Sequence, residues 1–154
     1  MTTKKAEPME IVFKSYSSND KELCLDLFDS NCPEYFAPNE RMDYENFLIS
    51  NPAGYELCIG NKEIIGAFGL FKENINQIRL DWILLNQKTQ GIGIGSTIMN
   101  RVLIQASDSG ADQILIATSH KAYKFFEKKG AIKISEKEHG WGPNMHRIDM
   151  ELHL

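Results

Sequence analysis

Apolar residues recur along this chain at two spacings, and the points where one gives way to the other divide it into elements. Alternation over Ile11 to Tyr16 predicts a first strand, because successive side chains of a strand face opposite sides. Ser18, Asn19 and Asp20 then offer N-caps for a helix whose buried face is drawn from Leu23, Leu25, Leu27 and Phe28, ending near Asn31. CPEYFAPNERM, with two prolines flanking Tyr35 and Phe36, reads as a loop before a second short helix, Asp43 to Ile49. Asn51, Pro52 and Gly54 break the chain. After them YELCIG and EIIGAFGLF predict two strands joined by a tight Asn61-Lys62 turn, and INQIRLDWILLN continues as a long strand from about Ile75 to Leu85.

The helical spacing returns from Gly93 to Ser109, where Ile94, Ile98, Met99, Val102, Leu103 and Ala106 form one stripe and Gly110 stands at the C-terminal glycine position. Ile114 to Thr118 is a short apolar run suited to a strand buried on both faces, followed by a helix from about Lys121 to Lys128 that stops at Gly130. AIKISEK and HRIDMELHL predict two closing strands split by a loop, HGWGPN. A three-strand antiparallel meander followed by strand, helix and strand implies a mixed sheet with a right-handed βαβ crossover in its second half.

Composition narrows what such a domain does. The 154 residues, 42% hydrophobic and 25% charged, suit one soluble globular domain over 1–154, with residues 1–8 as a loose polar arm. A net charge of -4 and the lack of a lysine and arginine cluster argue against a nucleic-acid partner. No apolar run approaches membrane-spanning length, and the N-terminus lacks a signal-like apolar region. Three cysteines, Cys24, Cys32 and Cys58, form no CxxC pair and suggest neither a disulfide framework nor a zinc site, so a reducing cytoplasm is the expected location.

The chemistry centres on QGIGIGS, which follows a strand and opens a helix. That arrangement turns unpaired backbone N–H groups and the positive end of the helix dipole toward an anion, and glycines at 91, 93 and 95 let the backbone come close. A diphosphate is the guest such a loop suits. No lysine follows as in a phosphate-binding P-loop, and the spacing is not that of a dinucleotide-binding GxGxxG. The competing reading is a tight turn with close helix packing.

Gln90, Gly93 and Gly95 match the Arg/Gln-x-x-Gly-x-Gly/Ala signature of the GNAT superfamily of N-acetyltransferases, and AYKFFEKKGA resembles that family's AxxFYEKxGF. The order of elements fits over nearly the whole chain. The resemblance implies an α/β (α+β) fold with a mixed, mostly antiparallel central sheet of six to seven strands, helices on both faces and one splayed parallel strand pair. It implies acetyl-CoA or another acyl-CoA as cosubstrate, with no metal, lying between the strand ending at Leu85 and the strand Ile114 to Thr118. Backbone groups of Ile83, Leu84 and Leu85 would pair with the pantetheine arm as an added strand does. Gln90, Gly91, Ile92, Gly93, Ile94, Gly95 and Ser96 would hold the pyrophosphate, with Ser119 on the arm and Phe125 and Phe126 at the channel wall.

The expected activity is transfer of an acetyl group to a primary amine, of a small molecule or a peptide, by direct attack in a ternary complex; the class admits a homodimer. A departure from the pattern bears on catalysis: Phe126 occupies the family's usual tyrosine acid position and has no proton to give. A catalytically silent acyl-CoA-binding domain is the alternative this raises. Asp81, interrupting the apolar strand LDWILL, is the candidate base; Tyr123, one turn before Phe126, and His120, at the start of the next helix, are further candidates for proton transfer. Tyr35, Phe36 and Trp141 are candidate acceptor-pocket walls, and Glu34, Glu40 and Glu45 would suit a cationic amine.

Overall fold

The two spacings resolve into seven strands and four helices among residues 10–89 and 93–154, the part of the chain that the computed structural model describes. The expected arm over residues 1–8 and the loop positions Gln90, Gly91 and Ile92 lie outside the described residues. The elements are β1 (Ile11–Ser15), α1 (Lys21–Ser30), α2 (Glu40–Ile49), β2 (Tyr55–Gly60), β3 (Glu63–Lys72), β4 (Gln77–Leu85), α3 (Ile94–Asp108), β5 (Gln113–Ser119), α4 (Tyr123–Lys128), β6 (Ile132–Gly142) and β7 (Met145–His153). They form one sheet in the order β1-β2-β3-β4-β5-β7-β6. Every neighbouring pair is antiparallel except β4 and β5, which α3 joins as a parallel crossover. This is the mixed, mostly antiparallel sheet that the order of elements implied.

Helices cover both faces. Ile94, Ile98, Met99, Val102 and Ala106 of α3 and Phe126 of α4 pack on Ile78, Leu80, Ile114, Ile116, Ile148 and Met150. On the other face Cys24, Leu25, Leu27 and Phe28 of α1 and Tyr44 and Leu48 of α2 pack on Tyr55, Leu57, Ala67 and Leu84. Such burial, at roughly 25 cal/mol per Å² of apolar surface, is the main force holding the layers together.

Four local expectations need correcting. Leu23 is 54% exposed, and Cys24 takes the place given to it in the buried stripe of α1. The second helix begins at Glu40 rather than Asp43: the Glu40 carboxylate folds back to accept the Ala37 N–H while its own N–H donates to the Ala37 carbonyl, closing a turn that leads into the helix. Strand β4 begins at Gln77 rather than Ile75: the Asn74 side chain accepts the N–H groups of Asn76 and Gln77, holding Ile75 in a turn. HGWGPN is not a loop throughout, since β6 continues to Gly142 and pairs Gly142 with Met145 across a two-residue turn. The Asn61-Lys62 turn matches its expectation, both residues having positive φ as a type I′ hairpin requires.

Candidate active site

A bulge in β4 creates the site. Ala67 of β3 lies opposite Leu84 and Gly69 opposite Asp81, so two steps on β3 match three on β4. The extra residue falls at Trp82, whose φ of 48° a bulky side chain rarely adopts. One inserted residue reverses the strand's faces, which is why Leu80 enters the α3-side core and Leu84, four residues on, the α1-side core. The Tyr55 hydroxyl donates to the Trp82 carbonyl at 2.8 Å and lies 2.8 Å from the Tyr44 hydroxyl, so buried tyrosines hold the bulge from beneath.

Beyond the bulge β4 and β5 separate. Their pairing runs from Gln77–Gln113 to Leu80–Ile116 and then stops, leaving Asp81–Leu85 without a partner on that side and Ala117–Ser119 paired to β7 alone. Into the gap opens a cleft of about 470 Å³. Asp81, Ile83 and Leu85 line it from β4, Thr118 and Ser119 from β5, Phe125 and Phe126 from α4, and Tyr35, Phe36 and Trp141 from the loops and β6. Leu84 does not: its side chain is buried in the opposite core.

Helix α3 points its first turn at the same region. Its N-cap, Gly93, is left-handed at φ 79°, and among the described residues no side chain caps the helix and its first turn carries no acid that would repel an anion. A Cβ at Gly93 would meet nothing within 4 Å, whereas one at Gly95 would press on the Phe125 ring at 3.0 Å. Ile94 is buried in the core. Ser96 accepts a hydrogen bond from the Lys129 ammonium at 2.7 Å, which brings a cation to this helix start. Lys129 carried no signal in the sequence beyond being one of several lysines.

The side of the cleft walled by Tyr35, Phe36 and Trp141 is closed by contacts between distant segments. The Trp141 indole donates to the Thr118 carbonyl at 2.8 Å, and Asn39 donates to the Trp141 carbonyl at 2.8 Å, tying β6 to β5 and to the α1–α2 loop. Trp82 lies 6.1 Å from Phe36 and 4.9 Å from Tyr44, ring centre to ring centre. Asn31 donates to the carbonyls of Leu27 and Leu85 and accepts from Gln87, joining α1 to the end of β4.

The candidate proton-transfer residues separate. Asp81 lines the cleft, with Oδ2 held 3.0 Å from the Arg79 guanidinium. Tyr123 lies away from the cleft lining, packed against the α3-side core. His120 also lies away from it. Its Nδ1 accepts the His146 N–H at 3.1 Å and its ring lies 4.4 Å from that of His146, with burial and the His146 charge holding its pKa below the ordinary value. His139 meets His146 edge-on, with ring centres 4.9 Å apart. In all three rings Nδ1 accepts a backbone N–H, so the neutral proton sits on Nε2 and the lone pair a metal would need is occupied. Of the three acids, Glu40 lines the cleft, while Glu34 and Glu45 do not.

Seven strands in one mixed sheet, with a parallel pair that splays around a cleft, are the architecture shared by acetyltransferases of the GNAT fold. The chain belongs to the GNAT acetyltransferases: the acetyltransferase (GNAT) domain model matches residues 34–153. No curated protein matches the sequence. Among solved structures, Ard1 from Thermoplasma volcanium is similar at 13% identity and a TM-score of 0.78, over 94% of this chain and 97% of that one. A GNAT family acetyltransferase from Elizabethkingia anophelis, with acetyl-CoA bound, is similar at 17% identity and a TM-score of 0.70, over 94% and 98%. An aminoglycoside 6'-N-acetyltransferase complexed with coenzyme A is similar at 16% identity and 0.71, over 92% and 96%. At these identities the likeness is one of fold.

Proposed function

We propose that this protein transfers an acetyl group from acetyl-CoA to the primary amine of a small molecule, by direct attack in a ternary complex. The observation that carries the reading is the coincidence of two unpaired strand edges at one cleft with the start of α3, where Gly95 packs on the cleft residues Phe125 and Leu85. A pantetheine arm has amide groups spaced along an extended chain, and the free edge at Ile83, Leu84 and Leu85 offers it the pairing of an added strand. Ser119, 4% exposed at the end of β5, and the rings of Phe125 and Phe126 would flank that arm. The pyrophosphate would rest on the backbone from Gln90 through Gly91, Ile92, Gly93, Ile94 and Gly95 to Ser96, with Lys129 adding a charge-assisted contact.

Tyr35, Phe36 and Trp141 would enclose the acceptor. A wall tied down by hydrogen bonds favours a small amine over an extended peptide. Alignment of two reactants can contribute about 7 to 11 kcal/mol toward the barrier, and a positioned acid or base adds roughly 10²- to 10⁴-fold to that. Asp81, inside the cleft, is placed to orient the acceptor, whereas Tyr123 and His120 are not placed to reach it.

Phe126 favours a second reading, a domain of this fold that binds acyl-CoA without turning it over, since the residue lies in the cleft and donates no proton. Both readings share one expected result. Acetyl-CoA at a hundredfold excess over its Kd stabilises the folded chain by about 2.7 kcal/mol, read as a rise in the unfolding midpoint. An unchanged midpoint at millimolar cofactor overturns both.

A further inference from the structure

One carboxylate in the cleft has no cation of its own. Glu40 is 5% exposed, yet it lines the cleft together with Tyr35, Phe36 and Trp82. Its Oε2 accepts the Ala37 N–H at 2.7 Å, which fixes the direction of the side chain. Its Oε1 accepts no hydrogen bond among the described residues. No side-chain oxygen among the described residues is both sealed from solvent and unpartnered, so Oε1 keeps some contact with solvent at a residue that lines the cleft. Asp81 is matched by Arg79 at 3.0 Å and Asp29 by Arg41 at 2.8 Å, but among the described residues no lysine or arginine lies within ion-pair distance of Glu40. A buried carboxylate without a partner is costly, and a ligand that brings the cation removes the cost.

We propose that Glu40 is the counter-charge and proton acceptor for the acceptor substrate, a small primary alkyl- or aralkylamine that enters as its ammonium ion. The inference rests on the acetyl-transfer reading. The Glu40 carboxylate takes one proton from the ammonium group. The freed nitrogen lone pair bonds to the acetyl carbonyl carbon while the bond from that carbon to sulfur breaks. The second nitrogen proton goes to the leaving sulfur, and the proton on Glu40 returns to solvent, so the products are an acetamide, a thiol and one released proton. The rings of Phe36 and Trp82, 6.1 Å apart, supply apolar and cation-attracting faces beside the carboxylate.

The surroundings set the titration of this group. Burial raises the Glu40 carboxyl to about 7, with the Ala37 N–H pulling down and Asp43 pushing up. Cys32 and Tyr35 on the α1–α2 loop, Asp81 on β4 and Lys121 after β5 are the other ionisable groups facing this region. A base that ionises near the working pH is well matched to its task. Asp81, ion-paired to Arg79, already has its counter-charge.

Glu40→Gln keeps an oxygen for the Ala37 N–H and removes the proton acceptor. Rates should be measured on wild type and E40Q between about pH 5.5 and 9 with n-butylamine, benzylamine and longer primary amines, beside acetyl-CoA binding. The expected result is a fall in kcat/KM of about 100-fold at pH 8 and loss of the ascending limb near pH 7, with acetyl-CoA affinity unchanged. A variant that keeps the limb and its rate overturns the assignment. If wild type binds acetyl-CoA and turns over no amine, the transfer reading fails, and the Glu40 assignment is read separately from n-butylammonium binding. Trp82 and Trp141, the only two tryptophans, both line the cleft and report that binding by fluorescence. E40Q is expected to bind the ammonium about tenfold more weakly, and equal affinity overturns the proposal.

Discussion

Replacing Phe28 with alanine is expected to destabilise the fold by about 3 to 5 kcal/mol, the range for emptying a buried phenylalanine site. Phe28 is completely buried, with its ring 5.2 Å from Phe36 and 5.7 Å from Tyr44. Tyr44 in turn contacts Trp82 and its hydroxyl meets that of Tyr55, so the cavity would open beneath both the acceptor wall and the β4 bulge. Urea denaturation of the two proteins reads the cost. Leu23→Ala, on the exposed side of the same helix, serves as the control and is expected to stay within about 0.5 kcal/mol. A similar small cost for Phe28→Ala would mean that this cluster does not organise the α1-side core.

The second large effect concerns Glu40 and pH. A carboxyl raised from 4.5 to about 7 in the fold holds its proton more tightly when folded than unfolded. The native state therefore bears no penalty below the unfolded value, an increasing one between the two values and the full penalty above about pH 7. That penalty is about 3 kcal/mol, and glutamine, which does not ionise, escapes it. The stability of E40Q relative to wild type should consequently rise by about 2 to 3 kcal/mol between pH 5 and pH 8. A difference that stays flat across this range would show that Glu40 is ionised without strain. Increased stability with reduced turnover is the pattern expected of a residue kept for function.

Periodicity alone was enough to read the element order, the meander, the crossover and the helix that meets the cleft, because strands and helices of one core must alternate or repeat to bury their apolar faces. The motif pair was enough to place the family. The bulge was not legible. LDWILL carries no glycine or asparagine to mark a positive φ, and Trp82 is held there by a tyrosine hydroxyl that comes from β2. Glu40 was legible only as one of three acids, with Glu34 and Glu45, that would suit a cationic amine; nothing in APNE sets it apart, since the segment lacks the serine or threonine that usually marks a capping box. The cluster of His120, His146 and His139 joins the end of β5 to the β6–β7 hairpin, and no spacing in the chain announces it. HGWGPN misled for a related reason. Its glycines and proline look like a loop, yet between the Lys137–Arg147 and Gly142–Met145 pairs β6 takes five steps to two on β7. That irregular stretch carries Trp141, which pairs with Thr118 at the cleft.

The proposed function turns on the splay between β4 and β5, where the gap would receive an acyl-CoA and present its acetyl group to an amine. The most direct measurement is the release of free CoA thiol from acetyl-CoA by the intact protein, followed across a panel of primary amines. The account predicts release that depends on both protein and amine, with the acetamide formed in equal amount. Thiol release no faster than with acetyl-CoA and buffer alone, for every amine, would contradict it.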